Sequence, residues 1–242
     1  MFDLIKAEFY RLIRKKSTYV YFPVMAVAYA LVVFLRSGGF NEKSVANDAV
    51  SFFAFSPALV GGFLFTAVYT DDLNAKNLIT LVGYGLGKAK IVLAKLLVAT
   101  EYTVVVFALL PAWHFGLYAL LGAPAGLGAL EIVYATGLKY ALLTLAYCAI
   151  SSIVVYGIQR TTFAVVTYVL FAFYVVRTLL VAVANMFGWD ASGYTISGLT
   201  DQIMYALLSG GWVVWPVAGV VAYLLVAVVA SVLVFDRKEM EF

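Results

Sequence analysis

The stretch GYGLGK, Gly83 to Lys88, comes nearest to a phosphate-cradling loop. Such a loop needs glycine, four residues, Gly-Lys and then a hydroxyl, so that backbone amides wrap phosphate and the hydroxyl reaches magnesium. Val82 stands where the first glycine belongs, Ala89 replaces the hydroxyl, and no buried strand precedes them. The residues argue against nucleotide binding by this chain. His114, the only histidine, lies in PAWHFG, where an interfacial aromatic cluster is the plainer reading. Cys148 is the one cysteine and lies in an apolar run, so no disulfide forms within the chain and no zinc set is at hand. H-E-x-x-H and G-x-S-x-G are absent, and helix capping accounts for the adjacent Asp71 and Asp72. No catalytic residue, resident cofactor or metal is expected.

Three ionisable residues are harder to set aside. Glu101, Lys139 and Arg177 fall inside long apolar runs, where a charge costs roughly 2.5–3.5 kcal/mol near the bilayer centre on insertion scales. Helical rise places Lys139 and Arg177 in the outer half of a membrane and Glu101 nearer the inner half. Two readings stay open. The three residues either pair and snorkel, a Glu101–Arg177 pair included, or they line a polar translocation path.

The elements that must position these groups are apolar helices. Hydrophobic residues make up 64% of the 242 positions and charged ones 12%, against roughly 45–50% and about 25% in soluble domains. That excess predicts a single all-α, polytopic membrane domain over 1–242, with spans near 19–35, 52–69, 89–118, 131–157, 163–187 and 212–235. The third is long enough to tilt or to break near Pro111. Lys15 and Lys16 precede an AVAYA stretch, but the apolar run continues through Leu35, which favours an uncleaved first span over a signal peptide.

Residues 1–17 read as an interfacial amphipathic helix, with Phe2, Ile5, Phe9, Leu12 and Ile13 on one face and Lys6, Arg11, Arg14 and Lys15 on the other. With the N-terminus inside, twelve Lys and Arg fall on the inner side and two, Arg36 and Lys43, on the outer. This bias predicts cytoplasmic N- and C-termini in the cell membrane. Residues 70–88 then form a cytoplasmic helix and turn. Asp71 and Asp72 favour its start, Asp72 faces Lys76 one turn on, Leu73, Leu78, Ile79, Leu81 and Val82 supply an apolar face, and Gly83 ends it in a left-handed conformation. The outer loop, 189–211, holds either a short external or re-entrant helix over 200–209 or a plain loop.

An amphipathic N-terminal helix, six spans, a cytoplasmic helix between spans two and three, and a longer outer loop before span six together resemble the ABC-2 type permeases, membrane subunits of ATP-binding-cassette exporters. The local resemblance is DDLNAKNLITLVGYGLGKAKIVLAKLL, with Asp72, Lys88 and Lys95 in the family's places, and the ending VFDRKEMEF is similar to family tails. Ala75-Lys76 stands where members often carry Gly-Thr, and Gly87-Lys88 where they carry Ser-Arg. The resemblance implies that 70–82 is a coupling helix and 1–17 an elbow helix. It puts Asp71, Asp72, Leu73, Lys76, Asn77, Leu78 and Leu81 against an ATPase subunit, expected in two copies. ATP and magnesium would sit on that partner. It also implies a second permease chain, identical or paralogous, no nucleic-acid partner, and export of amphipathic substrates, as in lantibiotic and antimicrobial-peptide export or immunity.

Rival classes remain. An ion-coupled carrier would use Glu101, Lys139 and Arg177 and need no ATPase, although no inverted repeat supports it. A non-transporting scaffold would tolerate replacement of Arg177.

Overall fold

Small residues decide which helix stands at the centre. The computed structural model describes residues 2–35, 41–74, 77–122 and 126–238, and only the backbone of Phe2, Glu42, Asp72 and Asn74. In chain order the helices are α1 (Phe2–Arg14), α2 (Lys16–Phe34), α3 (Glu42–Phe53), α4 (Gly62–Phe65), α5 (Asp71–Asn74), α6 (Asn77–Gly83), α7 (Lys88–Leu120), α8 (Leu127–Ile158), α9 (Thr161–Ala172), α10 (Val175–Met186), α11 (Ile196–Ser209) and α12 (Val214–Arg237). No strand occurs among the described residues. Five stretches are long and apolar enough to cross a membrane: Lys16–Phe34, Lys43–Thr70, Lys88–Leu120, Leu127–Ile158 and Val214–Arg237. The bent pair α9–α10 makes a sixth if taken as one span. The chain is an all-α, polytopic membrane protein.

Helix α8 touches α3, α7, α9, α11 and α12. Its buried positions include Ala135, Thr136, Gly137, Thr144, Ala149, Ser151 and Ser152, which let neighbouring backbones come close where no hydrophobic effect drives helices together. A Cβ on Gly137 would sit 3.3 Å from Pro111 Cγ, and one on Gly157 2.8 Å from Val234 Cγ1. Ser152 shares a 3.0 Å hydrogen bond with Ser231 of α12.

Span two departs from expectation at its start. It is helical from Glu42 rather than from Phe52, because Asn41 and Ser44 form a reciprocal capping box over the first turn. Val45, Ala49 and Phe53 turn its apolar side into the bundle. Further along, the span relaxes into π-helical turns at Pro57–Gly61 and Thr66–Thr70. The Tyr168 hydroxyl of α9 donates to Pro57 O at 2.7 Å and lies against Gly61. A side chain inserted into a helix ladder is an ordinary cause of such a distortion.

Span three runs unbroken through Pro111, which is buried against α8. The break falls in span five instead. There α9 and α10 meet at 64°, with Tyr174 in the left-handed region at φ 60°. A tyrosine held there costs of order 1–3 kcal/mol and persists only where surrounding contacts impose it. In the outer-loop region, helix α11 starts at Ile196, earlier than Thr200. Thr195 is its cap, accepting from the Gly198 amide at 3.1 Å, and Thr200 is buried within the helix.

The join between spans two and five gives a stability test. In Gly61→Ala the new methyl meets both the Tyr168 hydroxyl and, at 2.7 Å, Thr144 Cγ2. We expect a loss of about 1–3 kcal/mol, read as a lower Tm of the purified protein in detergent. Tyr168→Phe in the same background recovers part of it by removing the clashing oxygen.

Candidate functional site

Residues from four parts of the chain meet where α1 packs on the first turns of α7. Ile5, Phe9 and Leu12 of α1 face the core as the periodicity predicts, whereas Ile13 is exposed. Glu8 shares their stripe, and its Oε2 lies 2.7 Å from Lys95 Nζ of α7 and 2.7 Å from Arg11. The Lys95 side chain is 2% exposed and that of Glu8 11%, so this is a charge pair removed from water. Lys95, counted among the inner positive charges of the sequence, is therefore a core residue. One turn beyond Arg11, Arg14 lies over the Tyr10 ring at 4.5 Å. Lys15, between α1 and α2, donates to Asp71, the first residue of α5.

The segment after span two therefore hangs from α1. Asp71 is held by Lys15. Leu78 is 5% exposed and packs into the core with Leu73 and Leu81 beside it, so these three anchor the segment. Their apolar stripe lies towards the bundle, out of water. Asn77 is half-buried, and Thr80, Gly83 and Tyr84 form the exposed side. Lys76 and the Asp72 side chain lie outside the described residues, as does the Phe2 side chain, so the expected Asp72–Lys76 pair does too.

Helix α6 closes with a paired turn: Gly85 N bonds Val82 O at 2.9 Å and Leu86 N bonds Leu81 O at 3.2 Å. Gly85, at φ 78°, takes the left-handed position expected for Gly83. The chain then enters α7 at Lys88. Its ammonium donates to the carbonyls of Phe235 (2.8 Å), Asp236 (3.2 Å) and Lys238 (3.0 Å) at the end of α12, where a helix leaves acceptors without intrahelical partners. Spans three and six are thus tied at the end that carries α1.

The three charges within the spans separate. Lys139 Nζ lies 2.6 Å from Asp201 Oδ1 of α11 and 4.6 Å above the Tyr140 ring. Arg177 lies half-buried three residues beyond the Tyr174 break, with Tyr147 in its electrostatic reach. Glu101 is exposed on the flank of α7. The Glu101–Arg177 pair that the sequence leaves open is not made among the described residues, where span two touches both α7 and α9. Depth is not the obstacle. By a rise of 1.5 Å per residue, Glu101 is about 20 Å above Lys88, and the bend holds Arg177 near the top of α9, about 18 Å above Thr161.

His114 is fully buried at the far end of α7. Its Nε2 donates to Val45 O at 2.9 Å. Since a carbonyl only accepts, Nδ1 is the acceptor for the Tyr29 hydroxyl. The residue ties spans one, two and three together. Between the same spans runs a groove of about 340 Å³ lined by Phe22, Met25, Phe52, Tyr102, Leu109 and Trp113.

Sequence reasoning missed Glu8, Asp201 and the Tyr174 break. Glu8 carried a readable signal, since an acid sits on the apolar stripe of α1. Asp201 and Tyr174 carried none. No protein-family model matches the chain, and no curated protein matches it.

The buried pair makes a sharp prediction. Glu8→Ala removes the carboxylate that neutralises Lys95 and should cost about 3–5 kcal/mol, whereas Glu8→Leu with Lys95→Met should recover most of it. Thermal unfolding of the two variants beside the parent measures this. Equal losses in both would show that the pair does not hold α1.

Proposed function

We propose that the chain is the permease subunit of an ATP-driven exporter of the ABC-2 type, with cytoplasmic termini in the cell membrane. The observation that supports it best is the ion-paired junction of α1, α5 and α7, through Lys15–Asp71 and Glu8–Lys95. A coupling element must pass a displacement on to the spans, and a segment free of the bundle could not. Here a push on the exposed Thr80–Tyr84 side passes through the anchored Leu78 to the core, and through Asp71 to α1 and α7. Rigid-body rocking of such a unit suits alternating access.

ATP, magnesium and hydrolysis belong to a separate ATPase subunit in this reading, two copies serving two permease chains, identical or paralogous. The apolar, aromatic groove between spans one, two and three suits an amphipathic or hydrophobic substrate, with peptides favoured.

Extraction in mild detergent with a pull-down of associated ATPase activity tests the assignment. Leu78 is unsuitable as a probe of docking because its substitution would disrupt the core. Tyr84→Asp acts on the segment without that defect, Tyr84 being 82% exposed, and Asp72→Lys reverses the charge at the acidic position of the family resemblance. We expect an ATPase to co-purify with the parent and to be lost from both variants while the permease stays monodisperse. Transport that runs on an ion gradient, with no ATPase recovered, would replace this reading with the ion-coupled carrier.

A further inference from the structure

Inside a membrane a guanidinium needs a partner, because a charge left alone near the bilayer centre is costly and functional by default. Lys139 has Asp201 at 2.6 Å and Lys95 has Glu8 at 2.7 Å. Arg177 makes no ion pair and no hydrogen bond among the described residues. A phenol, Tyr147, lies in its electrostatic reach, and Tyr174 at the break of span five interacts in turn with Tyr147 and Tyr140. Asp201, whose charge reaches Tyr147 and Tyr174, is engaged by Lys139. The flanks of α9 and α10 around Arg177 are apolar and exposed, with Leu170, Phe173, Leu179, Leu180 and Val183 all at least 40% accessible.

A cation within the span, a phenol in its electrostatic reach and an open apolar flank on either side complement one kind of molecule. We propose that Arg177 binds the anionic group of an amphiphilic substrate, a carboxylate being the simplest, while the apolar part of that substrate lies along α9 and α10. The inference rests on the exporter reading and names the charge class of its substrate. Lipid headgroups fit the site poorly, because Arg177 stands about 18 Å above the start of α9, well inside the roughly 30 Å hydrocarbon layer. The left-handed Tyr174 belongs to the site, since the bend it creates holds Arg177 at this depth instead of letting a straight helix carry it towards the far surface.

The test uses the full chain in nanodiscs of phosphatidylcholine, without any ATPase, and a matched pair of fluorescent probes, 11-(dansylamino)undecanoic acid and its methyl ester. We expect the acid to bind about tenfold tighter than the ester or more, the range of a charge-assisted hydrogen bond. Arg177→Gln should abolish the difference and leave ester binding unchanged, and Arg177→Lys should restore part of it. Equal binding of acid and ester to the parent overturns the proposal, as does discrimination that survives Arg177→Gln. If acid and ester bind the parent equally and Glu101→Gln brings discrimination out, Arg177 is the counter-ion of Glu101 in a second copy. Competition by phosphatidylglycerol would transfer the site to lipid and also overturn it. Because no ATPase takes part, failure here leaves the pull-down result standing, and failure of the pull-down leaves the binding result intact.

Discussion

An ammonium group 2% exposed cannot stay charged alone, and the position of α1 follows from that constraint. Lys95 lies about two turns into α7, and Glu8 is a carboxylate that reaches it. Fixing Glu8 fixes the rotation of α1. That rotation sends Ile5, Phe9 and Leu12 inward and carries the chain to Lys15, where it meets Asp71. Asp71 is the first residue after span two, so the start of the 71–83 segment is set by a pair formed two helices away. Hydrophobic contact alone would leave α1 able to slide or roll on an apolar surface. A buried pair with a specific geometry restricts it to one register, and that specificity matters more than net stability.

The irregular parts of the backbone are neighbours. Span two holds two π-helical turns, span five is broken at Tyr174, and α9 packs directly on the π-turn segments of span two. Non-helical backbone at membrane depth is tolerated where it is buried in protein or lines a cavity. Here it falls in span two, which leads into α5, and in span five, which packs on it, while α8 and α7 run without a break for 32 and 33 residues. The straight helices form a fixed frame, tied to α12 through Lys88 and the Ser152–Ser231 bond. Span two runs through its second π turn straight into α5. Helix α5 is therefore continuous with the irregular span two, which packs on α9, the half of span five that ends at the bend.

Periodicity and composition were enough to read the spans, the amphipathic α1 and the short helix after span two, because each follows from which face must avoid water. What escaped depends on contacts distant in sequence. The polar start of α3 looks like a loop until Asn41 and Ser44 cap each other and His114 reaches Val45. Gly83 and Gly85 are equivalent by composition, and only the register of α6 decides that Gly85 takes the positive φ. Nothing in a run such as FAFYVVRT announces a left-handed tyrosine. That conformation is imposed by tertiary packing against local preference, so a straight span is the natural misreading.

The in-span charges and Lys95 differ chiefly in how each is neutralised. Lys139 has an acid from α11 and so pins that helix to α8, which is an architectural role. Lys95 has an acid from α1 and does the same at the other end. Glu101 is exposed and Arg177 half-buried. A cost of roughly 2.5–3.5 kcal/mol per unpaired charge is large beside the marginal stability of a fold. Neither Glu101 nor Arg177 has an ion-pair partner among the described residues.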